Sequence, residues 1–598
     1  MRDERMEYVT RFSQTLIPIN KMGDNLVYAV RSSQGFYLKR GLSKDAVTVF
    51  EQNNTSKDVA CNVFAYSNNG QLFAYCDNQV TRVFEIATNK EILCVELKRT
   101  RKILFSPKDN YLLTFEPYAI YGQKTADNQK PEPNVRVYSL ADGKHVSTFS
   151  APKESSWEPQ FSDDESLAAR MVGSEIFFYT DMSFESYQYK LVEKGVSSFS
   201  LSPGLSTNHV AVYVPASGSS PARVRVHHVS QSFPIVSNRT FYKSDKATIT
   251  WNQRGNALLI LASVDVDKTN QSYYGEQSLF LINIQSGDSV IVPLAKEGPI
   301  YAAKWNPNGR EFAVCYGYMP AKVTFYNAKG IPIHDISEGP RNDIYYNAFG
   351  NIVVICGFGN ISKGRMEFWD VETKKEIIAV EVPNTTLFDW APDGQHFVTC
   401  TTAPRLRIDN CYRFWHYTGR MIAETHFDSP KEELWEVRWR PMSGYNKFTI
   451  KELTKTDKMA AGLPIKKKDL SHPLNNVPAG AVRQAGAYIP PHLRKLPRCG
   501  GSAGPPSIPV TTTTTTTIPG NQNQRPGQFR ANGNGNAPLP FRPQQSEQER
   551  KLFQLRKKVD EIQVLKQRVA NGDQLQPNQL EKINREIEYL ADIAKLSI

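Results

Sequence analysis

Apolar and polar residues alternate along most of the first 450 residues, in short runs separated by turn residues. A representative run is FDWAPDGQHFVTC, in which two alternating stretches flank a Pro-Asp-Gly turn. Alternation with a period of two indicates half-buried strands, and Asn, Asp, Gly and Pro supply the backbone angles of a tight turn. The run therefore predicts a β-hairpin. Related runs occur nine times, at residues 64–76, 103–115, 159–171, 199–214, 249–261, 303–316, 346–357, 388–400 and 437–450.

These hairpins lie about 40 to 55 residues apart, which is the period of a propeller blade rather than of a helical solenoid. A second kind of hairpin lies between successive copies, as in VFEIATNKEI and MEFWDVETKKEIIAV. Two hairpins in each period make a four-stranded blade. Because the ninth copy runs directly into a charged tail, we expect the strand-turn-strand pattern of residues 26–40 to complete the last blade. The sequence thus predicts an all-β fold over residues 1–450, a closed nine-bladed β-propeller. Several smaller β-domains in a row are the alternative.

The composition changes after residue 450. Residues 451–545 are rich in Gly, Asn, Gln, Pro and Thr and lack apolar periodicity, so they are predicted to form a disordered basic linker. Helical spacing begins with a capping box at Ser546 and Glu549, and Pro577 begins a second helix. This pattern predicts a C-terminal α-helical hairpin over residues 546–598. Its apolar stripe either packs internally or docks a partner, and the candidate docking residues are Leu552, Leu555, Val559, Ile562, Leu580, Ile583 and Ile587.

The net positive charge lies in the last quarter of the chain. Of the 72 Lys and Arg residues, 24 follow residue 440, and of the 60 Asp and Glu residues, 12 follow it. The tail therefore carries a net charge of 24 − 12 = +12, and the rest of the chain carries 48 − 48 = 0. A segment of this kind attracts polyanions such as nucleic acid. The alternative is a linker whose charge only keeps the protein soluble. Its candidate nucleic-acid-binding residues are Lys466, Lys467, Lys468, Arg483, Arg494, Lys495 and Arg498.

One connection between predicted strands, TTAPRLRIDN at residues 401–410, carries two arginines. In an extended chain Leu406 would face the blade while Arg405 and Arg407 project together from the other side. Lys363 and Arg365 lie in a corresponding connection and complete the candidate ring residues for nucleic-acid or ribosome binding. Further basic residues on such connections are Lys124, Lys130 and Lys322. The alternative is that the arginines pair with Asp409 or a neighbouring blade and hold the ring together.

No sequence motif for nucleophilic catalysis, phosphate binding or zinc hydrolysis is present, so we expect no enzyme, no catalytic residue, no cofactor and no metal site. The eight Cys are scattered without metal-ligand spacing, which favours reduced thiols in the cytosol. No apolar stretch approaches the roughly 18 residues of a membrane-spanning helix. We therefore expect a cytoplasmic monomer that does not act at membranes.

Three stretches resemble the eukaryotic translation initiation factor 2A family: PDGQHFVTCTTAPRLRIDNCYRFWHYTGR at residues 392–420, GAYIPPHLR at 486–494, and LRKKVDEIQVLKQRVANGDQLQPNQLEKINREIEYL at 555–590. The resemblance implies a WD-repeat-like, nine-bladed propeller in the cytoplasm that associates with the small (40S) ribosomal subunit. It also implies that the protein promotes binding of initiator methionyl-tRNA without hydrolysing GTP, notably at non-standard start sites. Messenger RNA and other initiation factors are further candidate partners. Cys411, where a glycine is expected, and the polythreonine run depart from the family pattern.

Two other interpretations remain open at the level of sequence. One is a general protein–protein scaffold with a solubilising tail. The other is a relative of the initiation factor 3 component that has a similar propeller preceded by an RNA-recognition domain. No aromatic-rich motif of that domain precedes the first repeat, which begins by residue 64.

Overall fold

The computed structural model describes residues 23–454, except for 44, 53–60, 123–128, 205–207, 242–243, 265–274, 360 and 428–430, together with residues 562, 566, 586 and 589. The ring lies in a first compact unit, Met1–Asn475. Residues 562, 566, 586 and 589 lie in a second unit, Asn476–Ile598. The described part of the chain forms 36 strands, which are arranged as nine four-stranded antiparallel sheets. The predicted all-β, nine-bladed propeller is confirmed.

Three strands come first in the chain and belong to the last blade: β1 (Val27–Ser32), β2 (Gly35–Arg40) and β3 (Val47–Glu51). Blade 1 follows with β4 (Val63–Tyr66), β5 (Leu72–Cys76), β6 (Thr81–Glu85) and β7 (Glu91–Val95). Blade 2 contains β8 (Lys102–Phe105), β9 (Tyr111–Phe115), β10 (Val135–Ser139) and β11 (His145–Phe149). After a 3₁₀ turn at Glu154–Ser156, blade 3 contains β12 (Gln160–Phe161), β13 (Ala168–Val172), β14 (Glu175–Tyr179) and β15 (Tyr189–Val192). Blade 4 contains β16 (Ser198–Leu201), β17 (His209–Val214), β18 (Ala222–His228) and β19 (Ile235–Phe241).

The second half of the ring continues the same order. Blade 5 contains β20 (Lys246–Trp251), β21 (Ala257–Ser263), β22 (Gln277–Asn283) and β23 (Ser289–Ile291). Blade 6 contains β24 (Ile300–Trp305), β25 (Glu311–Tyr316), β26 (Ala321–Asn327) and β27 (Pro332–Gly339). Blade 7 contains β28 (Asp343–Tyr346), β29 (Ile352–Gly357), β30 (Arg365–Asp370) and β31 (Lys375–Glu381). Blade 8 contains β32 (Leu387–Trp390), β33 (His396–Thr401), β34 (Cys411–His416) and β35 (Met421–His426), and blade 9 begins with β36 (Leu434–Trp439).

The N-terminal strands close the ring, as the sequence predicts. Strand β36 pairs with β1 in antiparallel register, with Val30 opposite Val437, and β2 and β3 complete the sheet. The hairpin predicted for residues 437–450 is wrong in its second half, because residues 440–454 form no strand. Strand β1 takes the place beside β36, so the ninth blade has one C-terminal and three N-terminal strands. This arrangement joins the two ends of the ring through a hydrogen-bonded ladder.

The second strand of a blade is buried on both sides, because the neighbouring blades cover both faces of each sheet. All six residues of β17, β29 and β33 are buried. Strands in this position read as continuous apolar runs, whereas the outermost strands alternate. Aromatic rings fill the space between blades 8 and 9, where Tyr28 lies 4.6 Å from Phe414 and Phe414 lies 5.2 Å from Trp439, measured between ring centroids. The core of the ring is therefore a series of layers between blades.

Two repeated hydrogen bonds link successive blades. The innermost strand of four blades ends in a tryptophan whose indole N–H donates to a backbone carbonyl of the preceding blade: Trp251 to Ser200 (3.2 Å), Trp305 to Thr250 (3.0 Å), Trp390 to Tyr345 (3.3 Å) and Trp439 to Asp389 (3.3 Å). In three turns an asparagine amide donates over 2.9 Å to a glycine carbonyl of the next blade: Asn252 to Gly309, Asn306 to Gly350 and Asn347 to Gly394. Gly350 has a φ of 65°, and a Cβ there would come within 1.9 Å of Asn306 Oδ1, so the turn needs glycine.

Residues 440–454, which we call the strap, follow β36 and pack against blades 8 and 7. Arg440 Nε donates to the carbonyl of Gly70 in blade 1, 2.5 Å away, and so continues the inter-blade hydrogen bonds across the closure. The ring of Phe448 lies 5.5 Å from that of Tyr417, and its carbonyl accepts a 3.0 Å hydrogen bond from Asn351 Nδ2. Leu453 packs in the same apolar cluster. Residues 451–454, which the sequence assigns to the linker, therefore still contact the ring.

The second unit is described at four residues only. Ile562, Lys566, Glu586 and Tyr589 are helical, Ile562 is buried, and Lys566 forms an ion pair with Glu586. A contact between side chains 20 residues apart is what an antiparallel pair of helices provides. The rest of the predicted hairpin, including its capping box, lies outside the described residues. Among the described residues, no helix is both long and apolar enough to cross a membrane.

Candidate nucleic-acid interface

The connections of the ring lie on two faces. In a sheet of consecutive antiparallel strands, successive connections alternate between the two ends of the strands. Turns that join the first to the second strand and the third to the fourth strand therefore share one face, which we call the turn face. Connections that join the second to the third strand, or one blade to the next, share the opposite loop face. Residues 402–410 and 358–364 lie on the loop face, whereas Phe349 and Tyr417, which the strap contacts, lie on the turn face.

The stretch 402–410 forms a compact turn. The Leu406 N–H donates to the Thr402 carbonyl over 3.0 Å, and Asn410 Nδ2 donates to the Leu406 carbonyl over 2.7 Å. The extended conformation expected from the sequence is therefore wrong, because these two local hydrogen bonds fold the chain back on itself. Leu406 is half-buried, while Arg405 and Arg407 are exposed.

The two arginines lie close to different blades. Arg407 Nε lies 3.4 Å from Glu433 Oε1, just before β36 of blade 9, although the Arg407 side chain stays 65% exposed. Arg405 lies near Tyr345 of blade 7: burial and the hydrogen bond to Asp343 raise the pKa of Tyr345, and the positive charge of Arg405 opposes that rise. Arg407 thus forms an ion pair with a neighbouring blade, as in the alternative in which these arginines hold the ring together. Arg405 remains a candidate contact for a partner.

The other predicted ring cations divide in the same way. Arg365 Nε lies 3.1 Å from Glu367 Oε1, and Glu367 also binds buried Arg341 at 2.7 Å, so Arg365 belongs to a network within blade 7. Lys322 Nζ lies 2.8 Å from Asp335 Oδ2 within blade 6. Lys363 and Lys130 are exposed on the loop face, and Lys124 lies outside the described residues.

Most of the predicted tail residues also lie outside the described residues and stay predictions. These are Lys466, Lys467, Lys468, Arg483, Arg494, Lys495 and Arg498 of the linker, and Leu552, Leu555, Val559, Leu580, Ile583 and Ile587 of the hairpin. Ile562 is helical and 1% exposed, as expected for the apolar stripe of a packed hairpin.

The sequence reasoning missed a basic cluster on the loop face between blades 1 and 2. Residues 96–102 read ELKRTRK, and Lys98, Arg99 and Arg101 are exposed while Leu97 and Thr100 are buried. We call residues 96–102 the KRTRK loop. Four cations within five residues are visible in the sequence as a charge run. The run lies in a connection between two hairpins, outside the repeated pattern that identifies the blades.

One set of side chains could in principle hold a metal. The ligand atoms of Cys411, Glu424 and His426 lie within 4.8 Å of one another. However, Arg413 Nε already binds Glu424 Oε1 at 2.5 Å, and burial raises the pKa of the Cys411 thiol. A protonated thiol and an arginine-bound carboxylate are poor zinc ligands. The arrangement fits a cross-strand ion pair better than a metal site.

Comparison with known proteins places this ring in a family. Residues 239–437 match the family model described as eukaryotic translation initiation factor eIF2A. The chain is 84% identical over 577 residues to eukaryotic translation initiation factor 2A of Caenorhabditis elegans, covering 96% of this chain and 100% of that protein. The chain belongs to the eukaryotic translation initiation factor 2A family. The chain is therefore a translation initiation factor, and it has a propeller fold.

A solved structure and a second family complete the comparison. The solved structure, described as the crystal structure of the eukaryotic initiation factor, is 31% identical, covers 70% of this chain and 99% of its own chain, and superposes with a TM-score of 0.62. A component of eukaryotic translation initiation factor 3 from Xenopus laevis is 27% identical over 363 residues, covering 59% of this chain and half of that protein. The alternative of an initiation factor 3 relative therefore reflects a likeness that is weaker and covers less of the chain than the likeness to initiation factor 2A.

Proposed function

We propose that this initiation factor associates in the cytoplasm with the small ribosomal subunit and promotes binding of initiator methionyl-tRNA, without hydrolysing GTP, notably at non-standard start sites. The observation that carries the proposal is membership of the initiation factor 2A family at 84% identity over nearly the whole chain. The charge distribution supports it, because a tail of +12 attached to a ring of zero net charge suits a partner made of RNA.

The linker and the ring have separate roles in this proposal. The linker residues Lys466, Lys467 and Lys468 neutralise phosphates, which gives affinity that depends on salt but not on sequence. The ring presents a rigid loop face, on which Arg405 and Lys363 can meet a folded partner at fixed positions. The helical hairpin docks a protein, either another initiation factor or a ribosomal protein, because its outer charges nearly cancel.

The test is co-sedimentation of the full-length protein with purified small subunits, with and without initiator tRNA, over a series of salt concentrations. We expect binding whose logarithm falls linearly with the logarithm of salt, and a shallower slope for the variant Lys466→Gln/Lys467→Gln/Lys468→Gln. The matched control removes three exposed lysines from the turn face of the ring, Lys90, Lys108 and Lys329, and should leave the slope nearly unchanged.

The second candidate function is a general protein–protein scaffold. It is favoured if the protein fails to sediment with small subunits even at low salt, or if three ring lysines affect binding as much as three linker lysines. Either result contradicts the proposal of a phosphate-binding linker.

A further inference from the structure

We propose that the KRTRK loop and Tyr121 form a second RNA-binding surface, which binds a single-stranded RNA segment by one stacked base and its flanking phosphates. The inference deepens the proposed function and rests on it, since the RNA would belong to the initiation machinery. It differs in location from the linker and from the loop that carries Arg405.

The loop is held rigidly on the ring. Thr100 is fully buried, and the hydroxyl of Thr81 donates to its Oγ1 over 3.0 Å. Leu97 is buried, its N–H donates to the Val95 carbonyl over 2.8 Å, and its carbonyl accepts from Cys76 Sγ at 3.3 Å. Because the buried residues fix the backbone, the cations between them are presented without a large loss of chain entropy on binding.

The charges of the loop are available to a partner. Arg407, Arg365 and Lys322 form ion pairs within the ring, but Lys98 and Arg101 form none with any other residue in the described part of the chain. Lys102 is partly neutralised by Glu154, 3.3 Å away. Phosphate binding by unpaired cations on a fixed loop is favourable, because no internal ion pair has to be broken first.

An aromatic ring lies beside these charges. The guanidinium carbon of Arg99 lies 3.9 Å from the centroid of the Tyr121 ring, and the Tyr121 hydroxyl donates to the Pro117 carbonyl over 2.7 Å. The tyrosine is 38% exposed although its orientation is fixed. An arginine over a tyrosine ring, next to further cations, is the kind of platform on which nucleic-acid bases stack.

The adjoining cleft favours RNA over an acidic peptide. A cleft of about 200 Å³ is lined by Arg99, Ile120 and Tyr121 and also by Glu132. This volume is below the roughly 300 Å³ at which drug-sized sites begin, so it suits a single base. A carboxylate at Glu132 repels an acidic side chain, whereas it can accept hydrogen bonds from the amino or imino groups of a base. A single-stranded RNA segment can place its phosphates at the cations of the loop and one base in the cleft.

The test uses fluorescence anisotropy of a labelled 12-nucleotide single-stranded RNA with the full-length protein. It is run in the native chain and in the Lys466→Gln/Lys467→Gln/Lys468→Gln background, where the linker contributes less. Tyr121→Ala should weaken binding about 5- to 150-fold, as expected for loss of a stacked base. Lys98→Ala/Arg101→Ala should make the salt slope shallower by about 1.4 to 1.8, or 0.7 to 0.9 for each phosphate contact.

The matched control, Lys90→Ala/Lys329→Ala, removes two exposed lysines from the turn face and should leave affinity and slope unchanged. Circular dichroism melting curves of all variants should coincide, because the changed side chains are exposed. If both loop variants bind RNA like the native protein while the linker variant binds weakly, the inference is overturned and the proposed function stands. If the loop variants lose RNA but the native protein never sediments with small subunits, the proposed function fails and the surface stands.

Two other outcomes also contradict the inference. If polyglutamate competes as strongly as RNA for the loop, the surface recognises acidic peptides. If the charge variant weakens binding but Tyr121→Ala does not, phosphates alone are bound and the stacking platform is wrong.

Discussion

Two arginines of one short loop, Arg405 and Arg407, have different surroundings on the loop face. The sequence presents Arg405 and Arg407 as equivalent, two residues apart. In the structure Arg407 pairs with Glu433, whose backbone N–H donates to Ser33 Oγ over 3.0 Å, while Arg405 is exposed near Tyr345. The difference depends on blade 9, which the sequence around residue 405 does not contain.

The first prediction separates these two arginines. Arg405→Ala should weaken small-subunit or tRNA binding and leave the melting temperature unchanged, because exposed changes usually cost within about 0.5 kcal/mol. Arg407→Ala should lose an exposed ion pair, worth about 0 to 1 kcal/mol, and leave binding nearly normal. The control Glu433→Gln should reproduce the effect of Arg407→Ala. Loss of binding in the Glu433 variant would instead indicate that the pair positions the loop for its partner.

The second prediction concerns Asp389, which is half-buried on the innermost strand of blade 8. Burial raises its pKa to about 6, and the charge of Arg438 and the backbone N–H of Trp390 oppose the rise. A carboxyl whose folded pKa exceeds its unfolded value favours folding while protonated, so its stability contribution is present below about pH 4 and is lost as the pH rises to about 6.

The substitution Asp389→Asn removes the ionisable carboxyl and therefore the loss of stability that its ionisation causes. The variant should therefore melt a few degrees above the native protein at pH 7.5 and within one degree of it at pH 4, measured by differential scanning fluorimetry. Asn keeps the backbone carbonyl that accepts the Trp439 indole N–H. A difference that is the same at both pH values would indicate that Asp389 acts by packing rather than by its charge.

At the scale of single elements, the strand pattern could be predicted where the signal is local. The period of two and the Asn-Gly and Asp-Gly turns lie within about 13 residues, so the hairpins of blades 1 to 8 follow from the sequence. The fate of residues 440–454 could not be predicted, because it depends on competition from β1, some 400 residues away. The identity of the partner of Arg407, Glu433, and the contact between Arg99 and Tyr121 could not be predicted for the same reason. They join residues that only the ring brings together.

The strap gives the third prediction. Phe448 is half-buried between Tyr417 and Phe349, so Phe448→Ala should remove about 1 to 2 kcal/mol of local stability. Because the strap is not part of a blade, the loss should appear as faster tryptic cleavage after Lys451, with the melting temperature of the ring nearly unchanged. Lys447→Ala, an exposed neighbour, is the matched control. A lower melting temperature without faster cleavage after Lys451 would contradict this prediction.

At the scale of the whole molecule, the strap and the loops that carry the candidate RNA-binding residues lie on opposite faces of the ring. The strap runs along the turn face as far as blade 7, whereas Arg405 and the KRTRK loop lie on the loop face.

The last prediction concerns ring closure. Deleting residues 1–40 removes β1 and β2, leaves β36 without its partner strand and exposes the rings of Phe414 and Trp439, which pack on Tyr28. Because the blades are linked by the Trp and Asn hydrogen bonds, the loss should spread through the ring and lower its melting temperature cooperatively. Deletion of residues 1–22, which precede β1, is the control and should leave the melting temperature unchanged. The measurement is calorimetry of both truncated proteins beside the intact one. If the 41–598 protein melts as the intact one does, ring stability resides in the separate blades, and the N-terminal strands are dispensable for closure.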